Sequence, residues 1–180
     1  MPSPNYKYDV GDIVVTRSSS EQSALESQNW RLSNSNTDFT DESTETILIQ
    51  TGGEQMELYT DIESDGSFTY TLYQNPTVSE AGTNLNLNAV NRASIESSTA
   101  SAEANPTTTD TGTQLIETIN TGSADTGQGA NQAKTPGSIT GDVGWILAKN
   151  TDYLIEVENT SGSTGIVSIN AEIFVIPYNL

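Results

Sequence analysis

An eleven-residue pattern occurs twice in this chain, thirty residues apart. The first copy runs Asn75-Pro76-Thr77-Val78-Ser79-Glu80-Ala81-Gly82-Thr83-Asn84-Leu85. The second runs Asn105-Pro106-Thr107-Thr108-Thr109-Asp110-Thr111-Gly112-Thr113-Gln114-Leu115. Both read Asn-Pro-Thr, two residues, an acid, one residue, Gly-Thr, one residue, Leu. Proline fixes its own φ and pushes the preceding Asn toward extended geometry. The later Gly permits a reversal at positive φ. Each copy therefore reads as strand, shaped loop, strand. The offset holds one strand down and one strand back, which predicts both loops at the same end of a sheet. Asn75, Pro76, Thr77, Gly82 and Thr83, with Asn105, Pro106, Thr107, Gly112 and Thr113, are the candidate contact surface.

The rest of the chain supports an all-β reading. Short runs alternate apolar and polar residues with period two, and helical periodicity is nearly absent. Strand candidates are Asp12 to Arg17, Trp30 to Leu32, Thr46 to Gln50, Met56 to Ile62, Phe68 to Tyr73, Leu85 to Leu87 and Gln114 to Asn120. Trp145 to Leu147, Tyr153 to Glu158 and Ile166 to Ile176 follow. Ser94 to Ala104 has weak periodicity and reads as an edge or exposed strand. Glu63-Ser64-Asp65-Gly66 carries a hairpin turn signal. The sum is nine or ten short antiparallel strands, the count of a β-sandwich of jelly-roll type. Residues 1–45 read as a polar arm with one or two strands, anchored by Trp30 and Phe39. Residues 46–180 read as the sandwich, with a long Gly- and Ser-rich loop at 121–142. Trp145, at the head of a strand, is the predicted core anchor.

Composition narrows the function. Leu, Ile, Val and Phe total 37 of 180 residues, against 46 Ser and Thr. That apolar share sits just above the ~20% level at which highly charged chains stay disordered. The net charge is −18, from 24 acids and 6 bases. Phosphate binding needs clustered Lys and Arg, so nucleic acid and anionic membranes are poor partners. Two readings of the acidity compete: a soluble chain kept monodisperse by self-repulsion, and, preferred here, a chain adapted to molar salt, where the Debye length falls to ~3 Å. Cysteine and histidine are absent, which removes disulfides and Cys/His metal sites. No stretch of 18 apolar residues is present to span a membrane, and Met1 to Asn5 lacks the features of a signal peptide.

No constellation points to catalysis. A nucleophile–base arrangement lacks its histidine, and no carboxylate pair is singled out by spacing or apolar setting. Asp61-Ile62-Glu63-Ser64-Asp65-Gly66 matches the first half of a calcium loop, but Leu72 stands where the final acid belongs. Asn159-Thr160-Ser161 is a glycosylation sequon at a turn. Trp30, Trp145 and the seven tyrosines allow an alternative reading, a carbohydrate-binding jelly roll with exposed aromatic rings. No enzyme activity and no cofactor are expected.

Several segments in order resemble a known family. They are Tyr70 to Gln74 leading into Asn75 to Val78, then Gly82-Thr83, Asn88 to Arg92, the second Asn-Pro-Thr and Gly112 to Leu115. Gly144 to Leu147, Lys149 to Thr151 and Tyr153 to Ile155 complete the set. This order is similar to that of virion structural proteins of tailed viruses that decorate or cement the capsid exterior. The resemblance covers about Thr46 to Phe174. It implies a non-enzymatic sandwich on the outer capsid surface, with the major capsid protein lattice as partner and a homo-oligomer, trimer favoured over dimer. The polar N-terminus and the 121–142 loop would be its contact arms. Family members end in an aromatic-acid pair and are less acidic, whereas this chain ends Phe174-Val175-Ile176-Pro177-Tyr178 before its last two residues. Those departures point to a salt-adapted host and a virus of halophilic archaea.

Overall fold

A computed structural model describes residues 5–10, 13–18, 28–90, 98–120, 137–140 and 144–176, with side chains at 28–90, 98–117 and 144–176. Among them are sixteen strands. Strands β1 (Asn5–Val10) and β2 (Ile13–Ser18) pair in a sheet of their own. The body is built from β3 (Asn29–Phe39), β4 (Thr44–Gln50), β5 (Met56–Ser64) and β6 (Phe68–Gln74). Next come β7 (Thr77–Glu80), β8 (Thr83–Leu85), β9 (Asn88–Ala89), β10 (Ser101–Ala104), β11 (Thr107–Asp110) and β12 (Thr113–Asn120). The last are β13 (Gly137–Thr140), β14 (Trp145–Leu147), β15 (Asp152–Asn159) and β16 (Gly165–Val175).

Two antiparallel sheets of six strands form the sandwich. One has the order β12-β6-β15-β4-β10-β8, and the other β13-β5-β16-β3-β9 with β14 also on β5. Successive strands β3, β4, β5 and β6 alternate between the sheets. The late strands then insert, β15 between β4 and β6, and β16 between β3 and β5. The result is an antiparallel β-sandwich, as the sequence predicts, and this winding explains why the core strands come from both ends of the described chain. Alternation drives the packing. Ile47 and Ile49 of β4, Phe68, Tyr70 and Leu72 of β6, and Tyr153, Ile155 and Val157 of β15 face Leu58, Ile62, Ile169 and Ile173 of the second sheet in one core.

Several expectations need correction. Sixteen strands replace nine or ten, because the repeats contribute short strands too polar to register as apolar runs. Strands β1, β2 and β3 fall within 1–45, and β3 is an eleven-residue interior strand paired with β16. Of the Ser94 to Ala104 segment, residues 94–97 lie outside the described residues, and the part that forms β10 is no exposed edge: it lies between β4 and β8 with Ala102 and Ala104 buried. The turn at Glu63 to Gly66 is not a hairpin, since β5 and β6 belong to different sheets. Within the 121–142 loop, Gly137–Thr140 is strand β13, paired with β5. The remainder of that loop and residues 1–4 lie outside the described residues. Trp145 is half-buried and packs against the core from its margin, whereas Trp30 is 3% exposed. Trp145 sits on β14, which among the described strands pairs with β5 alone.

Candidate interaction surface

The two repeat copies do not form parallel loops at one end of a sheet. They pair with each other. Strand β7 of the first copy lies antiparallel to β11 of the second, with Val78 opposite Thr108. Sheet order dictates where this ribbon runs. Strand β7 links β6, second in its sheet, to β8, last; β11 links β10, fifth, to β12, first. Both must pass over β15 and β4. The inner face is filled by the core, so the ribbon crosses the outer face.

Buried residues confirm that path. Leu48 and Leu154 are register partners on β4 and β15 and are each 1% exposed. Their strand parity is opposite to that of Ile47, Ile49 and Ile155, which enter the core, so they point outward. The ribbon turns its own alternate residues, buried Pro76 and Pro106 and half-buried Val78 and Thr108, the same way round. Thr77, Ser79, Thr107 and Thr109 alternate with them and are exposed.

A local two-fold relates the copies in most contacts, the exception being the glycine N–H groups, Gly82 donating to Glu103 Oε2 at 2.9 Å and Gly112 to Asp110 Oδ1 at 2.8 Å. Asn75 N–H donates to the Asp152 carbonyl at 2.8 Å, and Asn105 N–H to the Thr46 carbonyl at 2.9 Å. Ser79 Oγ donates to the Thr107 carbonyl at 3.1 Å, and Thr109 Oγ1 to the Thr77 carbonyl at 3.4 Å. Thr83 pairs with Ala104, and Thr113 with Gln74. Each copy's glycine docks on the other copy's entry: a Cβ on Gly82 would collide with the Ala104 carbonyl, and one on Gly112 with the Gln74 carbonyl. The glycines are thus required by close approach. Only Gly112 also has a positive φ, of 88°.

The asparagines take the conformation expected of the glycines. Asn75 and Asn105 have φ of 57° and 51°, in the left-handed region, and are not extended. Asn tolerates that region because its short side chain bonds locally. Here the reversal lifts the chain off β6 and β10 onto the outer face, and the buried prolines then fix the direction of departure. Of the predicted surface residues, Asn75, Thr77, Thr83, Asn105, Thr107 and Thr113 are exposed, Gly82 and Gly112 are half-buried, and Pro76 and Pro106 are buried.

One copy carries an extra anchor. Glu45 is 4% exposed, and its carboxylate accepts from Asn34 Nδ2 at 2.6 Å, Asn36 Nδ2 at 3.1 Å and Asn105 Nδ2 at 2.7 Å. Asn105 Oδ1 in turn accepts from Thr46 N–H at 2.9 Å, and Asn36 Oδ1 from Asp38 N–H at 2.8 Å. These backbone donors fix both amides with their NH₂ groups toward Glu45. The polar alternation of β3, which hid that strand in the sequence, thus serves to satisfy a buried charge.

On the same outer face, Tyr73 Oη donates to Glu156 Oε1 at 3.3 Å. Partial burial raises the Glu156 carboxyl above its ordinary value, and the Glu158 charge adds to this while the Tyr73 hydrogen bond opposes it. Burial likewise raises the Tyr73 phenol, with the Glu156 charge second.

The other sequence candidates resolve into structural roles. Asp65 Oδ1 accepts from Ile166 N–H at 2.8 Å and holds the arch between the sheets. The sequon's Asn159 is 3% exposed, and its Nδ2 donates to the Phe39 and Ser163 carbonyls at 2.7 and 3.0 Å. A glycan there would require opening that turn. Among the residues with described side chains, no aromatic ring is exposed: Trp30, Phe39, Phe68, Tyr70, Tyr153 and Phe174 are buried, and Tyr59, Tyr73 and Trp145 half-buried. The carbohydrate-binding alternative would have only these half-buried rings to use among the residues with described side chains.

No family model matches the chain. No curated protein matches it either. Among solved structures it is similar to infectious bursal disease virus of the Gt strain, at 14% identity and a TM-score of 0.19 over 98% of this chain and 47% of that one. A VP2 subviral particle of infectious bursal disease virus gives 14% identity and a TM-score of 0.20, over 98% and 46%. The chain spans less than half the length of these neighbours, and at such TM-scores the likeness carries no argument about function.

Proposed function

We propose that this protein is a non-enzymatic virion structural protein that decorates and stabilises the outer capsid of a tailed virus, with the major capsid protein lattice as its partner. The observation that carries the reading is the ribbon. The Asn-Pro-Thr and Gly-Thr segments, which belong to the ordered set that carries the sequence resemblance, come together in one two-stranded element laid across the outside of the sandwich. Most of its exposed residues, Thr77, Ser79, Thr107, Thr109 and Asp110, are short side chains that lose little rotamer entropy when covered, with Glu80 the longer exception. A surface pinned at both ends is suited to repeated docking on a fixed lattice. The acidic composition supports the finer reading, a virus whose host lives at high salt. No cofactor, nucleic acid or membrane enters this proposal.

Co-sedimentation tests it. The chain should pellet with capsids that lack it, saturate at a fixed ratio to capsid subunits and leave duplex DNA and soluble oligosaccharides unbound. A folded chain that stays in the supernatant would refute the decoration role.

A further inference from the structure

We propose that hairpin β1–β2 is an arm that adds to the edge of strand β12 in a second copy of this chain, extending that copy's first sheet. The proposal stands apart from the capsid reading and does not need it.

Two elements leave hydrogen-bonding edges to fill. The first is the hairpin. Among the described strands, β1 and β2 pair only with each other. Register places Tyr6, Tyr8, Val10, Ile13, Val15 and Arg17 on one face. A lone two-stranded ribbon is marginal in water, and a third strand or cover for an apolar face is what stabilises one. The second element is β12, which ends its sheet with β6 as its one partner among the described strands. The strands that end the sheets elsewhere, β8, β9, β13 and β14, have two to four residues, whereas β12 has eight. It holds no proline and no lysine, the residues that commonly blunt an edge. Past the bulge between Gln114 and Ile116, Ile116 to Asn120 run in regular register on β6, and Leu115 beside them is exposed.

The two edges match in chemistry. Ile116 and Thr118 lie opposite the core residues Leu72 and Tyr70, which places them on the inner face and Glu117 on the outer one. Antiparallel pairing of β1 with Lys7 opposite Glu117 sets Tyr8 opposite Ile116 and Tyr6 opposite Thr118. The outer pair then joins opposite charges, and the inner pairs each join an aromatic to a β-branched residue; both kinds stabilise a ladder. The apolar face of the arm continues the inner face of the sheet. Charge favours the same partner: β1 and β2 hold two bases and one acid, in a chain of 6 bases and 24 acids. The arm is therefore the part of one copy that approaches the acidic body of another without repulsion. Within one chain the arm and β12 belong to different sheets. Exchange between copies fills both edges at once, each copy giving an arm and receiving one.

The test uses the full chain in about 1 M KCl, where repulsion between bodies is screened. Light scattering after size exclusion should give a mass of at least two chains, and Tyr8→Asp should give folded monomers. Lys7→Glu and Glu117→Lys should each weaken association by about fivefold, and the double variant should recover it. Glu117→Lys lowers the net negative charge, so tighter association of that variant would mean that bulk charge and not the Lys7–Glu117 pair is at work, and would overturn the register. An oligomer that Tyr8→Asp leaves intact would overturn the arm. A parent chain that stays monomeric would overturn exchange, whether the hairpin folds back on its own β12 or binds the capsid lattice instead. None of these results touches the decoration role, which co-sedimentation tests separately.

Discussion

Asn105 Nδ2 donates to Glu45 Oε1 at 2.7 Å, tying the entry of the second repeat to a carboxylate that is buried between the sheets. The equivalent Asn75 shares the left-handed φ and the backbone bond but makes no such contact with an acid. The repeats are therefore alike in backbone and unlike in anchoring. Asn105→Ala should lose both the left-handed tolerance and one of three donors to a buried charge, about 2–4 kcal/mol. Asn75→Ala should cost only the conformational part, about 1–2 kcal/mol. Urea unfolding of the two variants measures the difference. Equal losses would show that the Glu45 contact contributes nothing.

The two tryptophans should separate by burial. Trp30, at 3% exposure on interior strand β3, should cost ~3–5 kcal/mol when cut to alanine. Trp145, at the margin of the core, should cost ~1–2 kcal/mol, because part of its ring already faces water. Equilibrium unfolding decides, and a larger loss at Trp145 than at Trp30 would contradict the packing described.

Glu156 predicts a pH dependence. Its folded-state carboxyl is raised, so the fold favours the protonated form. That contribution is present in full below about 4.5, the ordinary glutamate value, and is lost as pH rises through the folded value. Glu156→Gln mimics the protonated acid and keeps an acceptor for Tyr73. It should raise the unfolding free energy at pH 7, by less than ~1 kcal/mol for so open a group, and have no effect near pH 4. A variant less stable than the parent at pH 7 would show that the charged hydrogen bond outweighs burial.

Net charge makes a separate prediction. With 24 acids against 6 bases, self-repulsion opposes compaction. Thermal melts across a KCl series should rise most steeply below about 1 M, where screening still changes. A melting temperature flat from low to molar salt would remove the high-salt reading and the host it implies.

Most body strands were legible because their apolar residues alternate in pure runs, as in Met56 to Ile62 and Tyr153 to Glu158. Strand β3 was legible only at Trp30 to Leu32. Between Leu32 and the buried Phe39 its inward positions are Asn34 and Asn36, whose role depends on a buried Glu45 from another strand. Strand β10 was misread because its inward residues are alanines, too small to mark a core position. The repeat was visible, but its arrangement was not. A thirty-residue offset fits two loops side by side as well as two strands paired head to tail, and only the sheet order separates them. Asn75 and Asn105 were read as extended from the proline that follows each. The tertiary requirement to leave the sheet overrode that local preference.

The decoration role is tested most directly on intact particles. Gold-labelled antibody against the folded chain, applied to purified virions whose protein content has been quantified, should label the icosahedral shell at a copy number in fixed ratio to the major capsid protein. Virions that lack the chain, or that carry label on the tail alone, would contradict the account.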